Sequence, residues 1–345
     1  MLTRIILRSC NQVGIKRRFT ERFTMAETGK DLKKTLFASE KSGEFVRKPS
    51  AFRNSVSRSS DTEHPAERNR YHLYVSYACP WAHRTLIYRK LKGLEDVISV
   101  DVVHWKFSEI GWMFSPDMPG STPDTVNGKT YMKELYLMAD NNYDGRYTVP
   151  VLWDKKKKTI VNNESAEIIR MLNTEFNEFS TKPDLDLYPE KLRNEIDGLN
   201  EWIYKDINNG VYRSGFAITQ EAYDKAVREV FAALDRVEGI LSQRRYLTGN
   251  TITEADVRLY TTLVRFDLVY VGHFKCNIRR IVDYPNLWGY LRDLYQTPGF
   301  GDTTNILHIK NHYQQSHLTI NPQGIVAAGP DIDFTSPHGR ADKFK

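Results

Sequence analysis

The stretch Tyr71-His72-Leu73-Tyr74-Val75-Ser76-Tyr77-Ala78-Cys79-Pro80-Trp81-Ala82 decides the fold. Its first seven residues are rich in β-formers and alternate enough to be a strand. Pro80 suits the first turn of a helix, where its missing N–H costs nothing. Trp81–Leu91 reads as that helix, ending near Gly93. Val97–Trp105 (VISVDVVHW) reads as a second strand, so the order is β-α-β with Cys79 at the strand-to-helix turn. At a helix start the unpaired N–H groups and the helix dipole favour an anion. A thiol placed there is expected below its ordinary pKa of about 8.5. The alternative for a cysteine taken alone is a buried, inert residue.

Working outward, Lys106–Lys129 is a long irregular stretch with three prolines, and a loop of that length in a compact domain usually carries function. Thr148–Trp153 and Thr159–Val161 read as two strands joined by Asp154 and four lysines, a solvated hairpin tip. Asn163-Glu164-Ser165 leads into a helix with Ile168, Ile169, Leu172 and Phe176 on one face. Residues 71–180 therefore read as an α/β domain of thioredoxin-like outline. From Pro189 the period is helical. Leu192, Ile196, Leu199 and Ile203 form one stripe, and Tyr223 to Leu241 another. Thr253 with Asp256 resembles a capping box. An all-α domain is expected over 186–315, an extended tail over 316–345, and an extension or linker over 25–70.

At 345 residues the chain has room for two such cores, and its 40% hydrophobic and 27% charged composition is that of a globular protein. No apolar run reaches the roughly 18 residues of a membrane span, so no membrane partner is expected. The net charge of +6 does not point to nucleic acid. Residues 1–24 carry Arg4, Arg8, Lys16, Arg17, Arg18 and Arg22 against Glu21, which accounts for +5 and leaves the body near neutral. That segment is amphipathic, Arg-rich and acid-poor, as a mitochondrial presequence is. A second start at Met25 would give a cytoplasmic form. Cysteines are confined to Cys10, Cys79 and Cys276, with no CxxC and no Cys/His set at zinc spacing. Such usage indicates a reducing compartment, with neither a disulfide framework nor a metal expected.

The position three after Cys79 is Ala82, not a second cysteine. A mixed disulfide on Cys79 therefore needs an outside thiol to resolve it, and glutathione is the obvious one. Thr148-Val149-Pro150 opens a strand with a proline, which points to a cis bond that presents the Val149 backbone to an extended peptide. The alternative is an edge-strand proline without a role. Glu164-Ser165 offers a carboxylate and a hydroxyl at a helix start for the two ends of a γ-glutamyl group, or simply caps the helix.

These elements, with Gly111-Trp112-Met113-Phe114, Asn208-Asn209-Gly210-Val211-Tyr212 and Val264-Arg265-Phe266-Asp267, resemble the glutathione transferase superfamily. The nearer likeness is to the omega-like branch and its xi class, the S-glutathionyl-hydroquinone reductases, of fungal type. It covers about residues 35–325, and Trp81 carries it, since ordinary omega enzymes usually have Phe there. The resemblance implies a glutathione transferase fold, Cys79 as nucleophile, and Tyr212 and Tyr313 facing a hydroquinone ring. It implies Trp112, Lys133, Val149, Pro150, Glu164 and Ser165 around glutathione, with Lys133 standing where the family usually has arginine. It also implies glutathione as co-substrate, quinone-derived small molecules as partners, and a homodimer. Two other activities fit the same motifs less closely: an omega-type thioltransferase or dehydroascorbate reductase, and a non-catalytic scaffold module.

Overall fold

Residues 71–75 form β1 (Tyr71–Val75), and all five are buried. A strand flanked on both edges and covered on both faces has no solvent side, so its polar members must find partners. β1 runs parallel to β2 (Ser99–Val102) and antiparallel to β3 (Val151–Asp154), which pairs with β4 (Thr159–Asn162). The order is β2-β1-β3-β4. A parallel β1/β2 pair needs a crossover, and α1 (Pro80–Leu91) supplies it. α1 packs against α3 (Ser165–Thr174), while α2 (Met132–Ala139) lies against β4. The computed structural model describes residues 42–345. The presequence expected at 1–24 and the alternative start at Met25 lie outside them.

Both expected strands of the first β-α-β unit are shorter than their β-rich runs. β1 stops at Val75 because Ser76-Tyr77-Ala78 must turn into α1, and β2 stops at Val102, beyond which the Val103 N–H still bonds the Val75 carbonyl. The four lysines make the expected exposed turn, with Lys157 paired to Glu63 at 2.9 Å.

The second layer is helical. α4 (Arg193–Trp202) continues as a π turn through Ile203–Asn208, then α5 (Gly210–Gly215) and the long α6 (Gln220–Gln243) follow. α7 (Glu254–Arg265) also runs on into a π turn, Phe266–Tyr270, before α8 (Pro285–Gln296) and α9 (Ile306–Ser316). π turns inside helices gather at functional sites, and both of these lie beside tyrosines described below. Ile196, Ile203, Val230, Leu234, Val237 and Leu241 are all buried. The capping box at α7 is present: the Thr253 N–H donates to Asp256 Oδ2 at 2.8 Å. The tail departs from the extended reading. Phe334 is buried against Tyr295, ring centroids 4.8 Å apart, and a single turn, α10 (Arg340–Lys343), follows. The Arg340 guanidinium anchors it by donating to the Leu241 and Arg245 carbonyls.

Candidate active site

Cys79 caps the N-terminus of α1 in an extended backbone conformation, with Pro80 at the first helical position. Its carbonyl accepts the His83 N–H at 3.0 Å, the first bond of the helix. Its thiol is partly buried and donates to the Val149 carbonyl at 3.4 Å. The Val149–Pro150 bond is cis, as the sequence implied. The turn before Cys79 is clamped from the other layer. Arg265, wholly buried on α7, donates to the Ala78 carbonyl at 2.9 Å and to the Tyr77 carbonyl at 2.9 Å. It also bonds His83 Nδ1 at 3.1 Å. Burial keeps His83 neutral, its pKa far below the ordinary value.

The expected depression of the thiol is corrected here. Burial pushes the Cys79 thiol up, and this outweighs the Ala82 and Trp81 N–H groups and the Arg265 and Arg47 guanidinium charges that pull it down. The helix-start effect is present, but desolvation exceeds it.

A cavity of about 920 Å³ opens at this thiol. Of the residues expected to act, Cys79, Trp112, Val149, Pro150, Glu164, Ser165, Tyr212 and Tyr313 all line it. Lys133, on α2, does not; its ammonium lies 5.9 Å from the Tyr147 ring centroid. One end is polar. Glu164 caps α3 by accepting the Ala166 N–H at 3.1 Å and also accepts the Ser50 hydroxyl at 3.0 Å. Ser165 Oγ accepts from buried Arg84 at 3.4 Å. Gly111 takes a φ of +99°, a left-handed turn that suits glycine and sets up Trp112.

The other end is aromatic. The Tyr212 and Tyr313 hydroxyls are 2.5 Å apart, and the Tyr270 hydroxyl lies 3.0 Å from that of Tyr313. Burial pushes all three phenols well above their usual pKa, so they remain protonated. Trp81 meets Tyr212 at 4.9 Å between centroids. Arg47 lies over the Trp81 ring at 3.7 Å, within cation–π reach. Sequence reasoning missed Arg47, Ser50 and Arg146, which also line the cavity. Phe45 to Ala51 carries no apolar period and no motif, so nothing in the sequence marks the docking that buries Phe45. Among the described residues no group of three His, Cys, Asp or Glu side chains is placed to hold a metal ion.

A four-stranded mixed sheet with a monothiol at the β1–α1 turn, followed by a helical domain, defines a glutathione transferase. The family model for the glutathione S-transferase N-terminal domain matches residues 78–175, and that for the C-terminal domain matches residues 220–293. The chain is 58% identical over 309 residues to the glutathionyl-hydroquinone reductase YqjG of Escherichia coli, covering 88% of this chain and 94% of that protein. It is 50% identical to the glutathionyl-hydroquinone reductase PcpF of Sphingobium chlorophenolicum, over 84% of this chain and 90% of that one. The glutathione-bound structure of YqjG superposes with a TM-score of 0.82, covering 85% of this chain and 97% of that one. The glutathione-S-transferase Xi of Phanerochaete chrysosporium, 54% identical, does so with 0.84 over 87% and 96%. The chain belongs to the xi class of glutathione transferases, the glutathionyl-hydroquinone reductase family.

Proposed function

We propose that this enzyme reductively cleaves glutathionyl-hydroquinone thioethers, using Cys79 and glutathione. The observation that carries the reading is one cavity holding a lone thiol, a polar helix start and a phenol-rich wall. Cys276 is wholly buried and lines no part of that cavity, so no second protein thiol is at hand among the described residues.

In the first step the Cys79 thiolate attacks the glutathione sulfur of the thioether. The sulfur–carbon bond breaks, its electron pair passes to the ring, and the ring carbon takes a proton supplied through Tyr212 and Tyr313. Hydroquinone leaves, and glutathione stays disulfide-linked to Cys79. In the second step a free glutathione thiolate attacks that disulfide, releasing glutathione disulfide and the Cys79 thiolate. Trp112, Val149, Pro150, Glu164 and Ser165 hold the peptide. Lys133, outside the cavity wall, supplies at most a distant positive charge, whereas Arg146 supplies one in the wall.

Intact-mass spectrometry after treatment with a glutathionyl-hydroquinone should show one glutathione on Cys79 and none on Cys79→Ala. Wild-type turnover by Cys79→Ala would falsify the scheme. A higher kcat/KM on small mixed disulfides or dehydroascorbate than on the thioether would favour the omega-type activity instead. Two further proposals accompany this one. The exposed Leu307 and Leu318 side chains, with Ile325, support a homodimer, which sedimentation tests. The basic, acid-poor segment 1–24 supports mitochondrial import, which fractionation of cells tests against a cytoplasmic form begun at Met25.

A further inference from the structure

His312 precedes Tyr313 on α9 and lines the same cavity as Cys79. Its ring stacks on Trp112, with centroids 4.9 Å apart and planes inclined by 22°, and meets Phe107 edge-on at 5.0 Å. The plane of the imidazole is thereby fixed. One edge is fixed as well, because Nδ1 lies 2.6 Å from the Trp105 carbonyl oxygen. A carbonyl oxygen only accepts, so Nδ1 carries the hydrogen. Burial also pushes the imidazole down to about 3, which leaves it neutral at physiological pH. A neutral ring with its hydrogen on Nδ1 has a bare lone pair on Nε2.

Among the described residues no group donates to that nitrogen. Its neighbours at the aromatic end are differently disposed. Arg47 only donates, and the Tyr212, Tyr313 and Tyr270 hydroxyls are engaged with one another. His312 therefore brings an uncharged acceptor to this wall, beside the Arg47 guanidinium and the phenol hydroxyls. A hydroquinone differs from a quinone or an aryl ether in the hydrogens on its ring oxygens.

We propose that His312 Nε2 accepts a hydrogen bond from a ring hydroxyl of the quinol, and that this contact selects phenolic rings over rings that cannot donate. The proposal rests on the reductase reading above. His312 is a specificity-determining residue: no bond to carbon or sulfur changes at it. A purely structural part, filling the space beside Trp112, would affect all ligands alike, whereas selection changes their ratio.

The test measures binding without turnover. Full-length Cys79→Ser protein is titrated calorimetrically with a glutathionyl-hydroquinone and with its O-methylated ether, in the His312 parent and in His312→Phe and His312→Gln. The parent should prefer the quinol by about five- to ten-fold, the worth of one neutral hydrogen bond. His312→Phe keeps a ring to stack on Trp112 and should bring that preference close to parity, while His312→Gln, which retains an acceptor, restores part of it. A second readout needs no substitution at the site: in protein labelled with ¹⁵N-histidine, the His312 Nε2 resonance should move on adding the quinol and not on adding the ether. An undiminished preference in His312→Phe, or an Nε2 resonance indifferent to the quinol, overturns the assignment. Wild-type protein that releases no hydroquinone from the thioether would instead sink the reductase reading, so the two failures are distinguishable.

Discussion

Cys79 is pulled in two directions by the groups around it. Burial raises the thiol, while the N–H groups of Ala82 and Trp81 and the charges of Arg265 and Arg47 lower it, and burial prevails. A raised thiol is mostly protonated at neutral pH, so alkylation of Cys79 in the unliganded enzyme should keep accelerating as pH rises past the ordinary thiol value. A pH series with iodoacetamide, read by intact mass, checks this, and a plateau reached below pH 7 would contradict it. Arg47→Ala removes one of the lowering charges. It should slow alkylation at pH 7.5 by about five-fold, on the scale of one near-surface charge interaction. The thiol's position was legible in Ser76-Tyr77-Ala78-Cys79-Pro80, because a strand, a proline and a helix are local. Its direction of titration was not, because the pocket that encloses it is built from residues such as Val149 and Tyr212, far along the chain.

At the scale of the element, α7 connects the two layers. Its start was readable from Thr253 and Asp256, whose box geometry is local. Asp256 turns out to do more. Its wholly buried carboxylate also accepts the Leu247 N–H at 3.0 Å and the Tyr290 hydroxyl at 2.8 Å. Asp256→Ala would take the acceptor from four donors in the core, the Thr253 hydroxyl being the fourth, and should cost about 3 kcal/mol or more in a urea titration. A loss below 1 kcal/mol would show that the donors find other partners. The far end of α7 bears Arg265, whose clamp on Tyr77 and Ala78 spans 188 and 187 residues and has no local signature. Arg265→Lys keeps the charge but loses the planar fork. It should lower kcat by about ten-fold or more with less change in KM, since displacing a reacting atom slightly is costly. An unaltered kcat would leave Arg265 a packing residue. α2 escaped the sequence reading because eight residues are too few to establish a helical period.

Across the whole molecule, the sheet is tied to the segment before it through a buried cluster. Asp154 at the end of β3 accepts from Arg70 at 2.6 Å and from His64 at 2.9 Å. Burial pushes its carboxyl up, but the Arg70 and His64 hydrogen bonds outweigh this and bring it down to about 2, against an ordinary 3.8. A carboxylate with a depressed folded pKa stabilises fully above its unfolded value, and that contribution fades as pH falls through the folded one. About 2 kcal/mol should therefore be lost between pH 4 and pH 2. Asp154→Asn should flatten that part of the stability curve in denaturation at a series of pH values. The order of the four strands and of α1 and α3 was legible because each is bounded by a local signal, a proline, a charged turn or a helix cap. The contribution of the segment from Phe45 to Arg53 was not, since it docks through isolated contacts such as Arg47 on Trp81 and Ser50 on Glu164. That segment lies ahead of the first strand and contributes no strand or helix of its own to either layer. One wall of the reaction chamber is thus built by chain that forms no part of the sheet or of the helices packed on it. Exchanges there can retune which rings are admitted while the sheet and helices stay as they are, so ligand preference and architecture are free to diverge at different rates.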